Sequence, residues 1–357
     1  MTLPRFLVAV VVLTGLSAAF FSAKRGDNFL PGDCPYYAWT ALSILHDGDL
    51  DLSNQLGIQK REDLVEHEGF FAVSPAGVVV PKHSTLLPLL SVPLLWLFGL
   101  HGLLLTNLLL AIALVAGVAH LAGNTPAARW TALALFVTSS WWGYCFNYSN
   151  DLLGAACIVW AYGMARRERG SLAGLFAGLA VWSKVYAAII LLPLAILILP
   201  AGWLTTLKAV LGSLVGLVPM LVLNAMLYGG PFVTGYDRDA RVTAEGFRLT
   251  EHYSRFNQPL GPGLAHLLFD FNVGMIATSV LWFLWPLGLW LQRRERWAWA
   301  AALGSLANVL VFTTYDEWNA STGGNRFLFP AVSLGGALLA PLIAWSLLRL
   351  THAPRLG

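Results

Sequence analysis

The sequence predicts an all-α protein that crosses a membrane many times. Three observations carry this. Of 357 residues, 57% are hydrophobic and only 11% charged, against roughly 25% charged in a soluble domain. Apolar runs long enough to span recur along the whole chain. Fifteen Trp suit the aromatic belts at the two membrane interfaces. The 22 basic and 19 acidic residues nearly balance, so nothing points to a nucleic-acid partner. Cys34, Cys145 and Cys157 lack metal-ligand spacing. A disulfide between Cys34 and Cys145 is left open.

In chain order, 4–22 reads as an uncleaved signal anchor. A first outer loop then runs to 102. It holds a helix signature over 32–51, a charged stretch over 60–68, and an apolar run at 86–99. That run has 14 residues and carries Pro88 and Pro93. It is short of the roughly 20 residues a span needs, so it reads as a re-entrant or interfacial helix. Spans follow at 103–122, 130–148 and 151–165.

The stretch 171–202 fits one long helix or two short ones. The basic clusters at 166–169 and 293–296 belong on the cytoplasmic side. They share a side only if 171–202 crosses twice, turning at Ser183-Lys184. This gives spans at 171–183 and 186–200, with the turn recessed beside a watery cavity. The next span is 208–228, then a second outer loop, 229–272. Spans at 274–291, 298–314 and 327–349 complete a single domain over 1–357, with about ten spans and both termini cytoplasmic. The GxxxG pairs Gly174/Gly178 and Gly212/Gly216 mark close helix packing. No internal repeat is visible, which weighs against a transporter built from duplicated halves.

The isolated charges gather on the outer face. Asp33, Lys82, His83, Asp151, Lys184 and Arg326 come from distant parts of the chain, and each sits at a membrane edge. Charge at membrane depth is costly and faces a cavity with partners. Asp33, before Cys34-Pro35, reads either as a helix cap or as a carboxylate that takes a proton from an acceptor hydroxyl. Asp151 either caps the span at 151–165 or is a second carboxylate beside Asp33. Lys82, His83, Lys184 and Arg326 suit an anionic head group, although snorkelling toward lipid phosphates also accounts for Lys82 and Arg326. The alternating Asp47, Asp49 and Asp51 suggest a divalent ion, but lack the longer calcium-loop pattern and fit an acidic turn ended by Gly48. In the second outer loop, Asp237, Arg238, Asp239, Arg241, Arg248, His252 and Arg255 are candidate acceptor contacts, though most of them read as a solvated loop. The sequons at Asn147 and Asn319 lie against the membrane and are discounted.

Four segments resemble the GT-C superfamily of membrane glycosyltransferases, in the branch of the protein O-mannosyltransferases and the lipid A aminoarabinose transferases. Gly32-Asp33-Cys34-Pro35 resembles the first-loop acid of that family, with Cys34 where a second acid is usual. Lys82-His83-Ser84-Thr85-Leu86 resembles its Lys-Pro-Pro-Leu segment, with both prolines replaced. Gly178 to Lys184 resembles a Gly-Leu-x-x-x-Thr-Lys turn. Gly323-Gly324-Asn325-Arg326 opens a late span as a Gly-Pro-Arg-Tyr segment does. The resemblance implies a polyprenyl-phosphate sugar donor and a glycan, lipid or protein acceptor, with Asp33 and Asp151 catalytic and Lys82, His83, Lys184 and Arg326 on the donor phosphate. Anomeric configuration would invert. Phosphate leaves well, so no metal or other cofactor is expected. A bacterial inner membrane with a periplasmic site is the implied location. The other readings are a lipid-linked glycan polymerase or ligase, and a transporter of lipids or glycans.

Overall fold

The structure, a computed structural model, describes residues 1–25, 30, 32–56, 71–243, 246–249, 256–315 and 324–352, with side chains omitted at 25, 240–243, 246–249 and 349–352. The charged stretch 60–68, the Asn319 sequon and Gly323, and the side chains of Arg241, Arg248, His252 and Arg255, lie outside that description.

Among the described residues the fold is helical apart from two short hairpins. Helix α1 (Leu3–Arg25) is followed by α2 (Cys34–His46), strands β1 (Phe71–Val73) and β2 (Val79–Pro81), α3 (Leu86–Phe98) and α4 (His101–Leu121). Next come α5 (Pro126–Thr138), α6 (Trp141–Tyr144), α7 (Asn150–Ala165) and α8 (Gly170–Ser183). Short helices α9 (Ala187–Leu191) and α10 (Ala195–Ile198) lead to the long α11 (Trp203–Tyr228). A hairpin, β3 (Ala240–Thr243) with β4 (Gly246–Leu249), precedes α12 (Leu260–Phe269), α13 (Met275–Ser279) and α14 (Trp285–Leu291). The chain closes with α15 (Arg296–Thr313), α16 (Phe329–Ala337) and α17 (Ala340–His352).

Helix α7 is the core. Nearly all its residues are buried, because its Gly154, Ala155, Ala156, Ala161 and Gly163 let α4, α8 and α16 approach closely. Helix α11 lies against α8 with little of its surface buried, and Val215 and Met226 face outward as lipid would require. The expected glycine contact is there. A Cβ on Gly174 would overlap the Ala209 carbonyl, and one on Gly216 would meet Gly178.

Among the described residues, three helices are long and apolar enough to cross a membrane alone: Leu3–Lys24, His101–Leu121 and Trp203–Tyr228. The pair Arg326–Ala337 and Ala340–Leu348, bent by 46°, makes a fourth among the described residues. The remaining apolar helices are shorter or broken. The turn at Ser183-Lys184 is where charge placement put it, and Leu86–Phe98 is the expected short helix.

Other boundaries differ from the expectation. The segment 130–148 breaks at Ser139-Ser140, and 274–291 breaks at Ser279. The breaks satisfy each other: Ser139 bridges Ser279, and Ser140 N donates to Thr278 O at 2.9 Å. Irregular backbone at membrane depth persists only when paired in this way. Residues 260–269, read as polar loop, form α12 instead. Gly261 and Gly263 hid it, yet Gly263 is what lets the helix rest on the Thr313 carbonyl.

Candidate active site

Six elements bring the charges together. Asp33 takes the N-cap position of α2 but makes no capping hydrogen bond. Its Oδ2 instead accepts from Arg326 Nη2 at 2.7 Å, so the cap reading fails at the side chain. Asp151 is not a cap either. Ser149 holds that position, and Asp151 lies buried in the first turn of α7. Its Oδ1 is 3.0 Å from Lys184 Nζ and its Oδ2 3.7 Å from Arg326 Nε. The result is a chain of alternating charge, Asp33–Arg326–Asp151–Lys184.

Local structure fixes each member. Lys184 leaves the C-terminus of α8 beside a reciprocal clasp: Asn150 Nδ2 donates to Ser183 O at 2.6 Å, and Ser183 Oγ donates to Asn150 Oδ1 at 3.0 Å. Arg326 follows Gly324, whose φ of +100° suits glycine. Gly324 packs on Ser140, and Asn325 N donates to Thr278 Oγ1 at 2.8 Å. The paired helix breaks thus present Arg326.

Lys82 and His83 approach from the first outer loop. Lys82 Nζ is buried and 2.7 Å from Asp239 Oδ2. Asp239 is therefore not part of a solvated surface. It joins the two outer loops, assisted by a backbone bridge to Ala72. His83 Nδ1 lies 2.9 Å from the Tyr236 hydroxyl, and its ring is 5.3 Å from that of Tyr37. Burial pushes the His83 imidazole from 6.5 down to about 4, against the pull of Asp33. It is neutral at physiological pH, so it contributes hydrogen bonds rather than charge.

Burial would raise the Asp33 carboxyl, but the charges of His83, Arg326 and Lys184 and the Arg326 hydrogen bond hold it below its ordinary value. Since His83 is uncharged at neutral pH, Arg326 is the partner that matters there.

A cavity of about 920 Å³ lies alongside. Lys82, His83, Lys184, Tyr37 and Tyr236 form its polar end. Ile189, Met220, Leu223, Val311, Phe312 and Phe327 form its apolar walls. Asp33, Asp151 and Arg326 stand behind its lining, linked to it through Lys184. Tyr37 and Tyr236 were not singled out from the sequence, and Asp239 was read with its loop as mostly solvated. No spacing marks them, since the chain must fold before the two outer loops meet.

The acids at 47–51 serve local structure. Asp49 accepts from Ser43, Asp51 from Ser53, and Asp47 from Asn54 and Gln55. Cys34 and Cys145 are free and buried, so no disulfide joins them.

No family profile and no curated protein sequence matches the chain. Solved structures do. ArnT from Cupriavidus metallidurans bound to undecaprenyl phosphate is similar over 95% of this chain and 59% of its own, at TM-score 0.62 and 16% identity. AglB from Archaeoglobus fulgidus, an oligosaccharyltransferase in complex with an inhibitory peptide and a dolichol-phosphate, is similar over 97% of this chain and 51% of its own, at TM-score 0.55 and 14% identity. The chain shares the fold of these two structures. It spans about six-tenths of the ArnT chain and half of the AglB chain. Within this fold the chain is a polytopic membrane protein.

Proposed function

We propose that the chain is a glycosyltransferase that moves a sugar from a polyprenyl-phosphate carrier to an acceptor hydroxyl, with inversion. The observation that carries this is the charge chain from Asp33 to Lys184 standing against a cavity with a cationic end and apolar walls. Such a cavity suits a phosphate on a long hydrocarbon tail. The two solved neighbours carry ligands of that chemistry, undecaprenyl phosphate and dolichol-phosphate.

In this reading about ten crossings put both termini in the cytoplasm and the site on the periplasmic side of a bacterial inner membrane. The donor enters laterally with its phosphate toward Lys184, Lys82 and His83. Lys184 gives one contact to Asp151, and an ammonium carries three donors. Arg326 spends its Nη2 on Asp33, and a guanidinium has five N–H groups. Both retain donors for the charge that grows on the leaving phosphate. Asp33 keeps partial exposure, and an acceptor hydroxyl would approach it there. The hydroxyl oxygen bonds to the anomeric carbon, its proton passes to the Asp33 carboxylate, and the carbon–phosphate oxygen bond breaks to release polyprenyl phosphate. Asp151 holds Lys184 and Arg326 in register.

The pairing with Arg326 makes Asp33 a weaker base than a free carboxylate. A good leaving group tolerates this, because the proton moves as the new bond forms. Asp33→Asn should lower transfer by about 10²–10⁴-fold while the protein still folds and still binds polyprenyl phosphate. Undiminished turnover of Asp33→Asn, measured with a lipid-linked sugar pool and mass spectrometry of products, rejects the role.

A further inference from the structure

A second polar cavity, of about 580 Å³, lies at the other end of the bundle. Helix α7 runs from the Asp151 end to Arg166, about 22 Å at 1.5 Å per residue. Helix α15 starts at Arg296 and ends beside cavity residues Thr314 and Tyr315, a rise of about 27 Å. The second cavity therefore opens at the opposite membrane face from the candidate active site.

Its wall holds three arginines, Arg166, Arg293 and Arg294, against one acid, Glu295. Arg166 is fixed. Its Nη1 donates to the Leu121 carbonyl, and its guanidinium lies 4.1 Å from the Trp297 ring centre. Arg293 is braced by Nη1 donation to Trp290 O at 3.0 Å. Arg294 has no hydrogen bond or ion pair among the described residues. Trp297, also in the wall, keeps a buried indole N–H without a partner among the described residues. Beside the cavity, Leu287, Trp290 and Leu291 are exposed toward the region lipid would fill. Positive charge on an inner membrane face is ordinary. An open cavity walled by three guanidinium groups, with a buried indole donor that has no partner among the described residues and an apolar flank, is more than that.

We propose that this cavity binds the phosphate of an anionic lipid headgroup in the leaflet opposite the active site, with the acyl chains along Leu287, Trp290 and Leu291. Guanidinium forks match phosphate oxygens, and basic pockets between spanning helices suit such headgroups. The inference does not depend on the transferase reading.

Native mass spectrometry of the full chain tests it, after release from micelles holding equal phosphatidylglycerol and phosphatidylcholine. Phosphatidylglycerol should be retained over phosphatidylcholine, and the double variant Arg293→Gln/Arg294→Gln should lose about tenfold or more of that retention. Lys208→Gln, which removes a charge near the same face but outside the cavity, should leave it unchanged. Arg294→Gln alone, at a side chain with no described partner, keeps the test open if the double variant misfolds. Equal retention of the two lipids, or equal losses in Lys208→Gln and the double variant, overturns the proposal. Displacement of the bound lipid by inorganic phosphate alone assigns the cavity to a free anion and overturns the lipid source.

Discussion

At the residue scale, the account rests on which side chain neutralises which. Asp151 is buried with Lys184 as its nearest cation. Removing that cation leaves the buried carboxylate with Arg326, 3.7 Å away, as its remaining cation, at a cost below the roughly 3–5 kcal/mol of a fully unpaired buried charge. Lys184→Ala should therefore lower the thermal unfolding midpoint in detergent, and adding Asp151→Asn should recover most of it. If the double variant is no more stable than the single one, the pair is not coupled as described. His83 gives a pH dependence. Its folded pKa, about 4, lies below its unfolded value of 6.5, so its stability contribution is present above 6.5 and is lost as pH falls toward 4. Asp33, also depressed, adds loss in the same direction only below its unfolded value of 3.8. Thermal melts should weaken from pH 6.5 to 4 in the native chain, and His83→Gln should flatten that slope. An unchanged slope in His83→Gln would show that other groups carry it.

At the element scale, the paired breaks at Ser139-Ser140 and Ser279 explain how Arg326 reaches Asp33. The break in α13 leaves the Thr278 hydroxyl for Asn325, and Gly324 fills the space beside Ser140. Gly324→Ala places a Cβ against Ser140 at a φ of +100°. This should cost about 1–3 kcal/mol of strain and reduce sugar transfer more than donor binding, since it shifts Arg326 relative to Asp33. A variant with native transfer rates would separate Arg326 from the chemistry. The element scale also shows what the sequence made legible. Charge placement alone located the Ser183-Lys184 turn, because a basic cluster can face only one side. GxxxG spacing marked α8 and α11 for close packing, and the structure shows that they pack on each other. Helix breaks were not legible. Serines inside an apolar run read as spanning helix, and only a partner from 140 residues away supplies their hydrogen bonds. The same holds for Asp239, whose role depends on two loops meeting.

At the scale of the whole molecule, the fold places a cationic cavity end and a carboxylate chain at one end of the helix bundle, and an arginine-walled cavity at the other. Six residues chosen from the sequence converge on the first of these, although Lys82 and His83 meet partners from the second outer loop that no motif announced. The most direct measurement is an experimental structure of the chain with a polyprenyl phosphate. The account predicts phosphate density within hydrogen-bond distance of Lys184, the hydrocarbon along Ile189, Met220 and Leu223, and Asp33 beyond the phosphate with its carboxylate open to the acceptor side. Phosphate density away from Lys184, or a tail outside that cavity, would contradict it.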